Sequence, residues 1–367
     1  MTSNLFLHLL SAAIWDKPAD ATLFQNLDPA LWKDISRMAH KQSVNALVAD
    51  KALSLPEGSL PPREFKMQFV GQIEQTKAMN RKLIAVLSDL VKEYTEAGFP
   101  FVLMKGLANG INYPDVLLRN PGDIDILIYR NGDYENARKW LAGQGIEAGD
   151  AGRIHCHYIK DGIYIEPHWR IAYFDNKRYD RKFTAWEQEL IEKDKFISSN
   201  IEDMSVRLLP VEMNAFFLYD HMFRHFISQG VGFRQFYDWI LYLKRYRDQI
   251  DKESFSSLAK SYALLYPMQV FARVAVDYLG ASEDIFPFEM IPPGQHVRMV
   301  LADILESGNF GFHRPGKKRP REKMRGMWFS YMTTVKRSAK YATFSPEHCI
   351  ILPFHKLINR LKIGFNA

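Results

Sequence analysis

The stretch at residues 101–129, FVLMKGLANGINYPDVLLRNPGDIDILIY, decides how the rest of the chain is interpreted. It begins with an apolar run that predicts a strand, continues through a Lys105-Gly106 turn, and ends in a second predicted strand that carries Asp123 and Asp125. Side chains alternate across a strand, so both aspartates lie on one face. Two neighbouring carboxylates repel each other unless a cation lies between them, which predicts a divalent-metal site that handles phosphates.

This order of strand, turn and Asp-x-Asp strand resembles the nucleotidyltransferase superfold of polymerase beta. More narrowly, it is similar to a poorly characterised bacterial nucleotidyltransferase-like family with a Lys-Gly, Arg, Asp-Ile-Asp signature. The residues that carry the similarity are Leu103-Met104-Lys105-Gly106, Tyr113-Pro114, Arg119 and Gly122-Asp123-Ile124-Asp125-Ile126-Leu127. The resemblance extends to about residue 245. It implies an α+β fold, with a small mixed β-sheet of nucleotidyltransferase type between helical N-terminal and C-terminal regions.

A hairpin is predicted further along the chain. Two apolar-rich runs flank Asp161-Gly162, a strong signal for a two-residue turn. In the register that such a turn imposes, His155 faces His168. Glu166 and His168 then share one face of the second strand of the hairpin.

The polymerase-like site needs a third carboxylate on a strand beside the two aspartates, because two acids alone hold the metals loosely and leave the attacking group without a base. Glu166 is the acidic residue of the second hairpin strand, and Glu166-Pro167-His168-Trp169-Arg170 resembles the family's acid-x-His-Trp segment. Pro167 lacks an amide hydrogen, so we expect this strand to lie at the sheet edge or to end there.

The resemblance implies Mg²⁺-dependent transfer of a nucleoside monophosphate from a nucleoside triphosphate (NTP) to an unknown hydroxyl acceptor on a small molecule, a glycan precursor or a protein. Asp123, Asp125 and Glu166 would be the catalytic residues and the ligands of two Mg²⁺ ions about 3.5 to 4 Å apart. Attack of the acceptor oxygen on the α-phosphate would release pyrophosphate. The residues that would bind the substrate are Lys105, Gly106, Arg119 and His168.

Each of these residues also has a simpler interpretation. Lys105 could be a surface lysine at a turn, and Arg119 could pair with a nearby acid. Asp123 and Asp125 could cap a strand end or face solvent. No Ser follows Gly106, so the usual Gly-Ser contact with phosphate is absent. This departure favours a non-catalytic relative that binds a ligand or a partner in the same cleft.

The composition is that of an ordinary globular protein. The 367 residues include 47% hydrophobic and 25% charged residues, which allows two or three domains with a sizeable core. Cys156 and Cys349 are far apart in sequence, so we expect no disulfide framework and a reducing compartment. No run reaches the roughly 18 apolar residues of a membrane span, and the start of the chain lacks the basic residues of a signal peptide. The sequence therefore predicts a cytoplasmic protein without a membrane span, and leaves its oligomeric state open.

A basic segment lies near the C-terminus. Residues 314–325 include seven Lys or Arg residues and one acid, Glu322, in a chain with a net charge of +6. Such a segment can bind nucleic acid, a membrane surface or a polyanionic substrate, or can be a solvated loop between helices. No aromatic residue lies within it, so nucleic acid is an alternative partner that the sequence does not favour.

Helical patterns flank the predicted sheet. Residues 1–97 form a predicted N-terminal helical region, in which a long helix begins near Phe65 and stops at Gly98. Residues 98–172 form the predicted nucleotidyltransferase-like α/β core. Residues 173–367, which include the basic segment, are predicted to be helical throughout.

Histidines offer other possible metal ligands. His221 and His225 lie one helical turn apart. No Glu of a zinc peptidase helix accompanies them, so we expect a packing or hydrogen-bonding role. An alternative transition-metal cluster on the hairpin would comprise His155, His157, His168 and Glu166.

Two charged residues in the helical half also resemble family positions. Arg234 and Asp238 are spaced by four residues in a predicted helix, so we expect them to pair with each other. The sequence assigns them no chemistry.

Overall fold

The computed structural model describes residues 2–149, 152–311, 320 and 322–365. Within these residues it has one mixed β-sheet with helices before and after it, which confirms the predicted α+β class. The strands are β1 (Val102–Met104), β2 (Ile124–Leu127), β3 (Tyr158–Lys160), β4 (Ile163–His168), β5 (Ile197–Ile201) and β6 (Met204–Leu208). The helices are α1 (Thr2–Ile14), α2 (Pro29–Lys41), α3 (Asn45–Leu53), α4 (Arg63–Glu96), α5 (Gly106–Gly110), α6 (Asp133–Gly143), α7 (Lys177–Glu192), α8 (Val211–Ser228), α9 (Phe233–Tyr246), α10 (Lys252–Ser261), α11 (Leu265–Leu279), α12 (Gln295–Ser307), α13 (Lys323–Tyr341) and α14 (Pro346–Phe365).

The strand order places β2 near the centre of the sheet. The order is β3-β4-β2-β1-β6-β5, with β2 antiparallel to β1 and parallel to β4. Asp125 of β2 therefore lies opposite Met104 on one side and Glu166 on the other. This register brings the predicted Asp-x-Asp strand and the predicted third carboxylate onto neighbouring strands.

The hairpin of β3 and β4 forms as predicted. Its two turn residues, Asp161 and Gly162, have positive φ values of 51° and 75°, the backbone that a two-residue hairpin turn favours. The pairs of β3 and β4 follow the predicted register, and an isolated bridge between His155 and His168 continues it.

Pro167 does not lie at the sheet edge, so that alternative of the prediction is wrong, although β4 ends one residue later. Pro167 pairs with Ile126 of β2 on one side, and its carbonyl accepts a hydrogen bond of 3.2 Å from the Cys156 amide on the other. The N and C=O of a strand residue point to the same side, so the missing amide hydrogen faces the segment before β3. The ladder with β2 continues past the proline, where the Ile128 amide donates to the His168 carbonyl at 2.9 Å.

The prediction of helix throughout residues 173–367 is wrong at residues 197–208. These residues form the β5–β6 hairpin, and β6 pairs in parallel with β1 at Leu103 and Leu208. The physical reason is that β1 would otherwise expose an unpaired edge. Val206 and Leu208 alternate into the core beneath the sheet, as one face of a strand requires.

The two faces of the sheet bury different cores. On one face, Leu103, Ile124 and Ile126 pack with apolar residues of α4 and α6. On the other face, Met104 joins the larger core formed by helices from both ends of the chain. Because side chains alternate along a strand, Asp125 lies on this second face, towards the C-terminal helices.

The helix that leads into the sheet is the predicted long one. α4 has 34 residues, and the chain turns at Gly98, whose φ of 82° favours glycine. Both Cys156 and Cys349 are buried and free. Among the described residues, no helix combines the length and the apolar character needed to cross a lipid bilayer. Residues 314–319 and 321 of the basic segment lie outside the part that the structure describes.

Candidate active site

Three carboxylates meet where β2 and β4 run side by side. Asp125 is buried in β2, Asp123 directly precedes β2 and is exposed, and Glu166 of β4 is half-buried. One ligand oxygen from each of them lies within 4.8 Å of the others. The structure thus brings together the three residues that the sequence proposes as catalytic and as metal ligands.

The charge of this cluster is not balanced. Repulsion from Asp125 and, to a smaller extent, from Glu166 raises the pKa of Asp123 to about 6. Burial alone would raise the pKa of Asp125, but the Lys105 ammonium and a hydrogen bond from His168 hold it well below its usual range. The cluster therefore retains negative charge that a cation can neutralise.

Lys105 is part of the cluster rather than a free surface lysine. Its Nζ donates to Oδ1 of Asp125 at 2.7 Å, and its side chain is 16% exposed. The backbone φ of 48° is unusual for a residue with a side chain. Such local strain persists only where the surrounding structure imposes it, and it is frequent at functional sites.

Gly106 brings the turn against the start of β2. Its φ is 32°, and a Cβ at this position would lie 2.9 Å from the Asp123 carbonyl oxygen. Only glycine fits this close approach. Gly106 therefore fixes the separation between Lys105 and the carboxylate cluster.

Arg119 pairs with an acid, as its simpler interpretation predicts. Its Nε and Nη2 each donate to Asp238 at 2.8 Å, and the hydroxyl of Tyr113 donates to the same carboxylate at 2.9 Å. Arg119 and Asp238 are both buried. The expected pairing of Asp238 with Arg234 is wrong, because Arg119 occupies the carboxylate in a bidentate geometry.

Arg234 instead faces the cleft. Its Nη1 donates to the Pro121 carbonyl at 2.9 Å, and its Nε has no hydrogen-bond partner among the described residues. Within the same residues it forms no ion pair with an acid. Burial lowers the pKa of Arg234, although a guanidinium stays charged. A cation in this condition is a strong candidate for binding an anion.

Two histidines flank Glu166. His168 Nε2 lies 2.9 Å from Asp125 Oδ1, and both His155 and His168 lie 3.8 Å from Glu166 Oε2. His155, Glu166 and His168 also form a group of possible metal ligands within 4.8 Å of one another, which does not include His157. This second group shares Glu166 with the carboxylate cluster.

Two adjoining cavities open onto these residues. The first, of about 260 Å³, is lined by the carboxylates, Arg234 and Asn109, and the second, of about 360 Å³, lies towards α14. The residues that line both cavities are Lys105, His155, His221 and His225. Burial lowers the pKa of His225 to about 3 and that of His221 well below its usual value, so both rings are neutral at pH 7.

The first cavity contains polar groups that lack partners in the protein. Asn109 is fully buried, and neither its Oδ1 nor its Nδ2 has a hydrogen-bond partner among the described residues. Gln235 Oε1 is in the same condition within that part of the chain. Buried polar atoms without partners are rare in proteins and mark positions where water or a ligand binds.

No sequence pattern predicted that Asn109, Arg234 and Gln235 line the cleft. Arg234 matches a family position and lies one helical turn from Asp238. The partner of Asp238 is nevertheless Arg119, which is far away in the sequence. A sequence signal existed only for helix spacing, which indicated the wrong pair. The cleft wall formed by α8 and α9 depends on packing between distant segments.

Comparison with known proteins identifies the family. A family model described as "Uncharacterised nucleotidyltransferase" matches residues 28–280, which is more than half of the chain. The chain therefore belongs to this family of uncharacterised nucleotidyltransferases, which confirms the predicted family. Among solved structures, it is similar to the crystal structure of an antigenic nucleotidyltransferase-like protein from Paracoccidioides brasiliensis, with 18% identity, 44% of this chain and 74% of that chain covered, and a TM-score of 0.30. The comparison with curated proteins gave no significant match.

Proposed function

We propose that this protein is a Mg²⁺-dependent nucleotidyltransferase that transfers a nucleoside monophosphate from an NTP to a hydroxyl acceptor. The observation that carries the proposal is the convergence of Asp123, Asp125 and Glu166 on the wall of a cleft, with ligand oxygens within 4.8 Å of one another. Membership of the family supports a transferase of this class. The expected location remains the cytoplasm, because both cysteines are free thiols.

The donor set fits Mg²⁺. Hard cations prefer oxygen ligands, and the cluster of Asp123, Asp125 and Glu166 offers only carboxylates. The pKa of Asp123 is raised to about 6, which indicates that Lys105 does not neutralise all the negative charge of the cluster. When bound, Mg²⁺ would neutralise the phosphates and polarise the reacting phosphoryl group.

We assign the nucleotide to the first cavity. Arg234 supplies a positive charge without an acidic partner among the described residues, and phosphates bind such guanidinium groups. The buried amide of Asn109 can donate and accept at the same ligand. Lys105 stays a predicted phosphate contact, whereas the bidentate pair of Arg119 with Asp238 supports a structural role for Arg119.

We assign the acceptor to the second cavity. His155 and His168 line this cavity, and Glu166 Oε2 lies 3.8 Å from each of them. An acceptor hydroxyl beside the two rings would be within reach of Glu166, whose carboxylate can take its proton. Arg153 and Arg224 also line the second cavity, where they pair with Asp175 and Asp220 at 2.8 and 2.9 Å.

Calorimetric titration with each NTP, with and without Mg²⁺, tests the proposal. We expect at least one NTP to bind in a Mg²⁺-dependent manner, and the Asp123→Asn/Asp125→Asn variant to lose affinity by about 100-fold, because the ligands of the cation are gone. A pyrophosphate-release assay across hydroxyl acceptors then tests transfer.

The matched control is Asp89→Asn, which makes the same substitution at an exposed position of α4. It should bind the nucleotide as the unmodified chain does. Equal binding by the unmodified chain and the double variant, or binding by neither, would contradict the proposal.

A non-catalytic ligand-binding protein is the second candidate. Leu107 rather than Ser follows Gly106, and Lys105 already neutralises part of the Asp125 charge. Nucleotide binding without pyrophosphate release across a broad set of acceptors would favour this candidate.

A further inference from the structure

The C-terminal helical hairpin carries the net charge of the whole protein. Residues 322–365, which form α13 and α14, include eight Lys or Arg residues and two acids, Glu322 and Glu347, a net charge of +6. The complete chain also has a net charge of +6, so the remainder is electrically balanced. Arg337 and Lys340 pair with Asp303 of α12, and the positive charge that remains indicates an anionic partner for this part of the chain.

The same hairpin exposes large apolar side chains in two regular stripes. On α13, Met324, Trp328 and Met332 are 59%, 55% and 46% exposed at a spacing of four residues. On α14, the residues at the same spacing are Ile350, Phe354 and Ile358, exposed by 57%, 65% and 51%. A spacing of four residues keeps each stripe on one side of its helix.

Each stripe lies opposite the side of its helix that packs against the protein. The inner side of α13 carries Arg337, which is buried and donates from its Nη1 to Asp303 of α12 at 3.1 Å. The inner side of α14 carries Leu352, which is buried against the large core and also lines the second cavity. The hairpin is therefore docked by its inner sides, and among the residues that the structure describes the two stripes take no part in the buried core.

Exposed cations lie beside the apolar stripe of α13. Arg325 and Lys336 are both exposed: Arg325 is next to Met324 in the sequence, and Lys336 lies one helical turn beyond Met332. α13 itself contains no acidic residue, and Glu322 directly before it pairs with Arg325 at 3.2 Å on the exposed surface. An outer surface with apolar residues, a tryptophan and flanking cations has the chemistry of a helix that lies in a membrane interface.

We propose that the outer sides of α13 and α14 bind the surface of a membrane that contains anionic lipids. The apolar stripes enter the boundary between headgroups and acyl chains, and Arg325 and Lys336 contact the lipid phosphates. The protein lies on the membrane through this surface. The proposal is independent of the reaction assigned to the cleft.

The chemistry of the surface distinguishes lipid from other anionic partners. Nucleic acid would be bound by cations and stacking aromatic rings, and would leave Met324, Met332 and Ile350 in water. A second copy of the chain would bring two positively charged hairpins together, which their mutual repulsion opposes. An anionic lipid surface satisfies both the charge and the apolar stripes.

Co-sedimentation of the full chain with lipid vesicles tests the proposal. Vesicles of phosphatidylcholine are compared with vesicles in which about one third of the lipid is phosphatidylglycerol, at about 0.1 M salt. We expect binding to the anionic vesicles that weakens as salt is added. Trp328→Gln/Phe354→Gln should reduce the affinity by about 100-fold, because two large apolar side chains no longer enter the interface. Arg325→Glu/Lys336→Glu should reduce it by at least about tenfold.

Matched control variants make the same changes on α4. Met67→Gln/Val70→Gln replaces two apolar residues that are 69% and 51% exposed. Arg63→Glu/Arg81→Glu reverses two exposed cations. Both controls should bind anionic vesicles as the unmodified chain does, and all variants change exposed positions, so thermal unfolding should remain close to that of the unmodified chain.

Four results of the vesicle assay would overturn the proposal. They are the absence of binding to anionic vesicles, equal binding to both kinds of vesicle, unchanged binding by Trp328→Gln/Phe354→Gln, and an equal loss of binding by the α4 controls. Light scattering adds a further test: a dimer that Trp328→Gln/Phe354→Gln converts to a monomer would assign the stripes to a second copy. Tighter binding to an oligonucleotide than to the anionic vesicles, lost in Arg325→Glu/Lys336→Glu alone, would assign the surface to nucleic acid.

Discussion

Asp125 and Asp238 are two buried acids that line the first cavity, and they are stabilised in different ways. Asp238 receives two hydrogen bonds from Arg119 and one from Tyr113, so its charge is matched by one guanidinium in a closed pair. Asp125 is hydrogen-bonded to Lys105 and His168, but two further carboxylates, those of Asp123 and Glu166, lie close to it. The closed pair is complete within the protein, whereas the carboxylate cluster keeps negative charge that its protein neighbours do not neutralise.

The difference teaches which charged residues build the fold and which are available for chemistry. A buried ion pair with all its hydrogen bonds made holds segments together and leaves little for a ligand to bind. A cluster with excess charge is a local cost to stability, and such costs concentrate at functional sites. Substitutions in the closed pair should therefore mainly lower stability. Substitutions in the carboxylate cluster should mainly lower binding and activity.

The largest expected effect is on stability, at the closed pair. Asp238→Asn leaves the buried Arg119 guanidinium without its partner charge, and the free energy of unfolding should fall by about 3 to 5 kcal/mol. Chemical denaturation measures it. Replacing both partners, as Arg119→Met/Asp238→Leu, should recover part of the loss because no unpaired charge remains. A fall of less than about 1 kcal/mol in Asp238→Asn would contradict the stabilising role of this pair, because contributions of that size are typical of exposed ion pairs.

The second effect is on activity, at the open cluster. Asp123→Asn should reduce turnover by about 100-fold, because one ligand of the cation loses its charge. The same variant should keep or gain stability, by about 1 kcal/mol or less, since repulsion from Asp125 disappears and solvent already screens the exposed Asp123. Turnover and denaturation of one preparation measure both quantities. Loss of stability together with activity would indicate that Asp123 is structural.

The third effect is on the pH dependence of stability, through His225 of α8, which lines the cleft. Burial lowers the pKa of His225 to about 3, whereas an unfolded histidine has a pKa of about 6.5. Below pH 6.5 the unfolded chain therefore binds a proton that the folded chain does not, and stability falls as the pH drops from about 6.5 towards 3. This contribution is on the order of 2 kcal/mol at pH 5.

His225→Gln should remove this contribution, so that the variant loses less stability than the unmodified chain between pH 7 and pH 5. Denaturation at the two pH values measures the difference. His40→Gln, at an exposed position, is the control and should retain the full pH dependence. The same pH dependence in His225→Gln and in the unmodified chain would contradict a neutral, buried ring at this position.

The smallest expected effect is that of the close backbone approach at Gly106, which can be changed without changing any charge of the cluster. Gly106→Ala places a Cβ 2.9 Å from the Asp123 carbonyl oxygen at a φ of 32°, and should cost about 1 to 2 kcal/mol of stability while weakening metal binding. Gly98→Ala has the same kind of backbone, with a φ of 82°, but its Cβ meets no atom within 4 Å. Gly98→Ala should lose stability and keep metal binding. Equal metal affinity in the two variants would show that the close approach at Gly106 is unimportant for the site.

Local patterns in the sequence predicted the parts of the fold that depend on local chemistry. The Asp161-Gly162 turn fixes the register of β3 and β4, and the alternation along β2 fixes the face of Asp125, with Asp123 directly before the strand. These features follow from residues close together in the chain. They were sufficient to bring the three carboxylates onto neighbouring strands.

The parts that the sequence did not predict depend on contacts between distant segments. β6 joins the sheet because β1 offers an open edge. Asp238 of α9 pairs with Arg119, which is far away in the sequence, rather than with Arg234 of the same helix. Five-residue strands such as β5, with polar side chains at Ser198 and Asn200, give a weak signal beside long helices. The position of Arg234 in the cleft follows from this tertiary pairing, and no local pattern indicates it.

The most direct test of the account is a crystal structure with Mn²⁺ and a non-hydrolysable NTP, in which anomalous scattering locates the metal. We expect metal peaks bounded by Asp123, Asp125 and Glu166, with the phosphates towards Arg234, and loss of these peaks in Asp123→Asn/Asp125→Asn. A metal bound by His155, Glu166 and His168 alone, or a nucleotide outside the first cavity, would contradict it.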